Sequence, residues 1–213
     1  MSWVAEEDFE SYADESDLKT QSGGSGWSAA WTGGANTVYA DTATASEGSV
    51  SSRTVSNSGN TFYWRTLTTT ISTTGIIYYS MRKSSTGSGV NSVALRSSGG
   101  GRFQVRLDNS GNIQAYNQNT TAWVTLTSFS ANTWYDIRVT FDVSASSFSV
   151  SYWTGSAWAT ESATFGMQGS GNIDRISVGG DTGSNSWVDK ITATDPHAGG
   201  GSPADNALSM CNF

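Results

Sequence analysis

The chain has 213 residues, 18 of them acidic against 11 cationic, for a formal charge of −7 with only 14% charged residues. An acidic surface of this kind repels phosphate backbones and argues against a nucleic-acid partner. No apolar run approaches membrane-spanning length, so membrane insertion is not expected. The polar surface must instead come from Ser, Thr, Asn and Gly, a composition poor in helix formers and suited to strands and turns.

In chain order, the N-terminal MSWVAEEDFE has neither a basic n-region nor an apolar h-region and does not read as a signal peptide. Period-two segments then recur between turn residues. Strands are predicted over 3–10, 37–41, 48–54, 61–70, 76–82, 90–96, 102–108, 112–117, 122–127, 133–142, 147–154, 157–163, 172–178 and 186–193. Helical spacing is absent over any three turns, and 13–20 could form at most one turn. TFYWRTL and IIYYSMR are apolar on both sides, as if a loop or a neighbouring subunit covered one sheet.

The clearest hairpin is RFQVRLDNSGNIQAYN. Phe103, Val105 and Leu107 alternate there with Arg102, Gln104 and Arg106, and Gly111 in the turn is free to take a positive φ. In ANTWYDIRVTFD, Tyr135, Ile137, Val139 and Phe141 share one face, while Asp136 and Asp142 on the other read as solvated. Many short strands at regular spacing predict an all-β, two-sheet antiparallel jelly-roll sandwich over 1–194. From Asp195 the sequence turns Gly-rich, carries both prolines and holds the single cysteine, Cys211, which has no partner for an internal disulfide. This 195–213 tail is expected to dock on a partner.

Several stretches together resemble the concanavalin A-like lectin/glucanase superfamily, in particular its laminin-G-like jelly rolls. DFESYADESDL with GWSAAWTGG resembles the opening strand and first loop of such domains. FQVRLDNSGNIQAYNQNTTAWVTLTSFSANTWYDIRVTFDVSASSFSVSYW resembles their central strands, and IDRISVGGDTGSNSWVDKITATD their closing strand. The resemblance spans about 8–194 and is specific for fold but weak for function, because this fold carries lectins, glycosidases, lyases and structural parts.

Glycosidases of the superfamily carry Glu-x-Asp-x-x-Glu on one strand, which puts alternate carboxylates into one groove. Here Glu6 and Asp8 begin such a motif, but Ser11 stands where the acid belongs. The one histidine, His197, lies in the tail and reads as exposed, and no enzyme is expected. The resemblance also implies a structural calcium where first and last strands meet, with Asp8, Glu10 and Asp189 as oxygen ligands, although Lys190 occupies the place of a second acid.

Two functions follow. The first is a non-catalytic virion decoration or fibre-type protein, forming a homo-oligomer or docking on a larger assembly such as a capsid. It would be made in the cytoplasm and found on the virion, or outside the cell after lysis. Short Ser/Thr/Gly-rich jelly rolls of this kind resemble phage accessory proteins. The alternative is a carbohydrate-binding, lectin-like module. Its glycan would stack on aromatic rings and bond to amides at Tyr116, Asn117, Gln118, Asn119 and Trp123, or at Trp153 and Trp158.

Overall fold

A computed structural model describes residues 3–33, 38–55, 61–98, 100–180 and 183–198. Its strands, in chain order, begin with β1 (Val38–Asp41), β2 (Ser51–Thr54), β3 (Thr61–Ile71), β4 (Thr74–Lys83) and β5 (Asn91–Ser97). Next come β6 (Gly100–Leu107), β7 (Asn112–Asn117), β8 (Ala122–Ser128) and β9 (Tyr135–Asp142). The last are β10 (Ser147–Tyr152), β11 (Phe165–Gly166), β12 (Ile173–Gly180) and β13 (Ser186–Thr192). No helix occurs among the described residues, and so none long and apolar enough to cross a membrane.

The strands form two antiparallel sheets. One has seven strands in the order β1-β2-β13-β4-β9-β10-β11, the other six in the order β3-β12-β5-β6-β7-β8. Hairpin neighbours alternate with long crossovers, β2 to β13, β13 to β4 and β4 to β9 in one sheet and β3 to β12 and β12 to β5 in the other, as in a jelly roll. The core lies between the sheets and follows the alternation in the sequence. Ile77, Tyr79, Met81, Ile137, Val139, Phe141, Phe148 and Val150 point inward from one sheet. Val93, Leu95, Phe103, Val105, Leu107, Ile113, Ile176 and Val178 meet them from the other. Phe103 stacks on Phe148 at 5.1 Å between ring centroids, locking β6 over β10.

The predicted strand at 3–10 is instead an irregular segment held by single bridges, Glu6 to Ser25 and Glu7 to Ile191. Phe9, with φ at 63°, breaks the extended run. The segment is fixed by a buried hub. Glu7 pairs with Arg65 and accepts bonds from Tyr12 (2.8 Å), Trp31 Nε1 (3.2 Å) and the Phe9 amide (3.1 Å). With both oxygens bonded and the Arg65 guanidinium beside it, the carboxylate can remain buried. The predicted strand at 157–163 also fails to form. Only Trp158 bridges, to Trp153, and the short β11 follows instead.

Of the two doubly apolar strands, β4 is covered on its outer face by the chain itself, and β3 is paired along its free edge. Residues 26–32 bridge to β3 at Leu67 and Trp64, and Trp158 packs on Tyr78 of β4 with 5.6 Å between ring centroids. Arg102 also departs from the sequence reading. A bulge between Gly101 and Phe103 turns it inward, where it is 1% exposed and donates to the Gln168 carbonyl at 2.9 Å.

Candidate functional site

Chemistry-bearing residues gather in three places. The first is the end of the sandwich where the N-terminal segment meets β13. A cavity of about 260 Å³ is lined there by Asp8, Glu10, Glu47, Asp189 and Lys190, among others. The three residues expected to hold calcium therefore do meet, but they do not fit a cation that needs six to eight oxygen ligands. Asp189 Oδ2 accepts the amides of Ser46 (2.8 Å) and Glu47 (3.2 Å), and its Oδ1 accepts the Lys190 amide (2.8 Å). Glu10 is likewise taken by the Ser49 and Val50 amides and the Ser49 hydroxyl. Lys190 pairs with Glu47 at the same cavity. Among the described residues, no group of three or more His, Cys, Asp or Glu is placed to hold a metal. Backbone amides take up the Asp189 and Glu10 oxygens that the calcium expectation gave to an ion. Burial, helped by the nearby charges of Glu10 and Asp8, pushes the Asp189 carboxyl up to about 7.

The second place is the outer face of the seven-stranded sheet. Trp153 and Trp158 meet edge to face at 5.5 Å, and the His197 imidazole stacks flat on Trp153 at 3.8 Å and 7°. Trp158 Nε1 donates to Asp195 at 3.0 Å, and Arg138 lies over the same indole at 5.2 Å. His197 Nε2 stands 2.8 Å from Asp136 Oδ2. His197 is thus half-buried and clasped, not exposed, and Asp136 is its partner rather than a solvated carboxylate. Asp195 and His197 fasten the start of the tail onto the chain's own sheet. Residues 199–213, the rest of the segment expected to dock on a partner, lie outside the described residues.

Ser80 also donates to Asp136, through the other carboxylate oxygen. The order is therefore Ser–Asp–His, with the carboxylate in the middle. A hydroxyl nucleophile is activated when the imidazole stands between Ser and Asp, so this arrangement ties segments together and does not prime Ser80.

The third place is the outer face of the six-stranded sheet. Tyr116 on β7 pairs in register with Trp123 on β8, and their rings meet edge to face at 5.3 Å. The Arg106 guanidinium of β6 lies 3.6 Å from the centre of the Trp123 ring. Arg106 also donates twice to Gln114 Oε1, at 2.8 and 3.0 Å, and the Gln114 amide passes the chain on to Thr125 at 3.2 Å. Side chains from three strands are thereby fixed in one plane, while Tyr116 and Trp123 stay half-buried, part of each ring at the surface. The same face continues across the sheet through Gln104 on β6, Ala94 on β5, Ser177 on β12 and Trp64 on β3, which lie in register.

The remaining candidates divide. Asn117 is buried, and its Oδ1 accepts the amides of Asn119 and Gly166 at 3.0 Å each, so it ties the β7 end to β11. Gln118 and Asn119 are exposed at the rim of the same turn. Sequence reading overlooked Arg106, Gln114 and Arg96. Their outward positions on successive strands were the available signal.

No protein-family model matches the chain, and no curated protein matches it in sequence. Solved structures do resemble it in fold. A cellulose-induced protein, Cip1, aligns over 88% of this chain and 95% of its own at 14% identity and a TM-score of 0.55. The carbohydrate recognition domain of Emp47p aligns over 88% and 93% at 11% identity and a TM-score of 0.50. A sialidase aligns over 71% of this chain but only 16% of its own length, at 9% identity and a TM-score of 0.54. The chain shares with these structures the fold of an all-β, two-sheet antiparallel jelly-roll sandwich.

Proposed function

We propose that the protein is a carbohydrate-binding, lectin-like module that takes its glycan on the outer face of the six-stranded sheet. The observation that carries this reading is the Arg106–Trp123–Tyr116 group, pinned by Gln114 and left partly at the surface. Sugars present apolar C–H faces to aromatic rings and hydroxyls to amides, and a site fixed before binding loses little freedom when occupied. Gln104, Gln114 and Thr125 supply the polar partners beside the rings.

The lectin-like fold supports the same reading, since one structure resembling the chain is a carbohydrate recognition domain. The comparisons favour it over a virion decoration protein. We also take the face as a surface for binding rather than reaction. The arginines and amides hold charge and hydroxyls, and Ser80, Asp136 and His197 act as ties on the opposite sheet.

A glycan array with recombinant protein tests the proposal. Binding that falls at least tenfold in Trp123→Ala and stays unchanged in Trp158→Ala is the expected result. Loss in Trp158→Ala alone would move the site to the other sheet, and silence across a broad array would overturn the carbohydrate reading.

A further inference from the structure

Arg96 holds a position that the reading above leaves unused. It points outward from β5, and among the described residues its guanidinium has no hydrogen bond, ion pair or ring contact. The other arginines on this face are engaged, Arg106 with Gln114 and Trp123, and Arg175 with Asp174 at 2.7 Å. Arg175 of β12 stands directly opposite Arg96 in the ladder. Like charges at opposed positions destabilise a sheet, and Asp174 offsets only one of the two.

The unpartnered guanidinium opens into a cavity of about 260 Å³ with Phe62 as apolar wall and Gln104, Gln168 and Ser177 as polar lining. Among the described residues no carboxylate lines this cavity. The acidic end cavity at Asp189 has the opposite character. A half-buried arginine beside a second arginine, facing amides and no acid, is suited to an anion. Its planar fork matches a carboxylate in two parallel bonds.

We infer that the open face selects acidic glycans, with the carboxylate of a uronate-type sugar seated on Arg96. The inference rests on the carbohydrate reading and adds the class of ligand. Arg96 on β5 and Trp123 on β8 are three strand spacings apart, roughly 14 Å. The ligand is therefore an oligosaccharide long enough to reach from the arginine to the indole, not a single sugar. Because the chain as a whole is acidic, attraction is confined to this patch and weakens as salt screens it.

The test uses the full chain and three probes: an oligogalacturonate, the same oligomer fully methyl-esterified, and a sulfated neutral oligosaccharide. Titration calorimetry of wild type and Arg96→Gln reads the outcome. The wild type is expected to bind the acid at least tenfold more tightly than its ester. Arg96→Gln should lose that advantage, binding acid and ester alike. Its thermal midpoint without ligand should hold or rise, since the opposed charges are gone. Equal binding of acid and ester, indifferent to Arg96→Gln, would overturn acid selectivity and leave the carbohydrate reading standing. Preference for the sulfated probe would overturn the carboxylate assignment. Failure of the wild type to bind any probe or any glycan on an array would overturn both.

Discussion

The outer faces of the two sheets have opposite fates. On the seven-stranded sheet, Trp158, Asp195 and His197 lie over β4 and β9, and the backbone at Ser46 and Glu47 is tied down by Asp189 of β13. On the six-stranded sheet, Arg106, Gln114, Tyr116 and Trp123 satisfy one another within the plane of the sheet. The cause lies in the strands. β4 reads IIYYSMR, apolar on both sides, so its second face had to be covered. β6 and β7 alternate strictly over Phe103–Leu107 and Asn112–Asn117, so their polar side can meet water. A face that a chain spends its own segments covering is poorly placed to receive a ligand, whereas a self-satisfied plane is ready for one.

This contrast can be broken or sharpened by experiment. The largest effect should come from pH acting on the covered face. The Asp189 carboxyl, raised to about 7 from an ordinary 3.8, binds its proton more tightly folded than unfolded. Stability from this group is present in full below about 3.8 and lost as pH rises through about 7, roughly 4 kcal/mol in all. Chemical denaturation at several pH values should show that slope between pH 4 and 8, and Asp189→Asn should flatten it. An identical slope in the variant would remove Asp189 as its source.

Next in size is the indole pair. Trp158→Ala loses the Tyr78 contact, the bond to Asp195 and the edge of His197, and should cost about 3 kcal/mol in urea denaturation. Trp123→Ala, on the open face, should cost about 1 kcal/mol or less. Equal costs would erase the distinction between the two faces. An effect of similar size belongs to the tail. Removing 195–213 takes away the acceptor of Trp158 and the ring stacked on Trp153. A loss of about 1 kcal/mol, read as a fall in Tm of roughly 3 °C, should accompany a change in tryptophan emission, with glycan binding intact.

The sandwich was legible in the sequence because alternation sets which side of a strand is buried. Tyr135 to Phe141 and the hairpin around Gly111 took the faces and turn they predict. What was illegible depended on partners distant in sequence. Asp136 looks solvated until His197, 61 residues away, is seen stacked above the same sheet. Arg102 shares the outward parity of Gln104 and Arg106, but a one-residue bulge reverses it. The 157–163 stretch has strand composition, yet Trp158 is drawn onto Tyr78 and out of any ladder beyond its single bridge. The outward position of Arg96 was there to be read, but its lack of a partner among the described residues was not.

The most direct measurement is a titration followed by the tryptophan indole N–H signals in NMR, with an oligogalacturonate as ligand. The Trp123 indole should shift with saturable dependence on ligand while those of Trp153 and Trp158 stay fixed. Shifts confined to Trp153 and Trp158, or none at any indole, would contradict a glycan site on the six-stranded sheet.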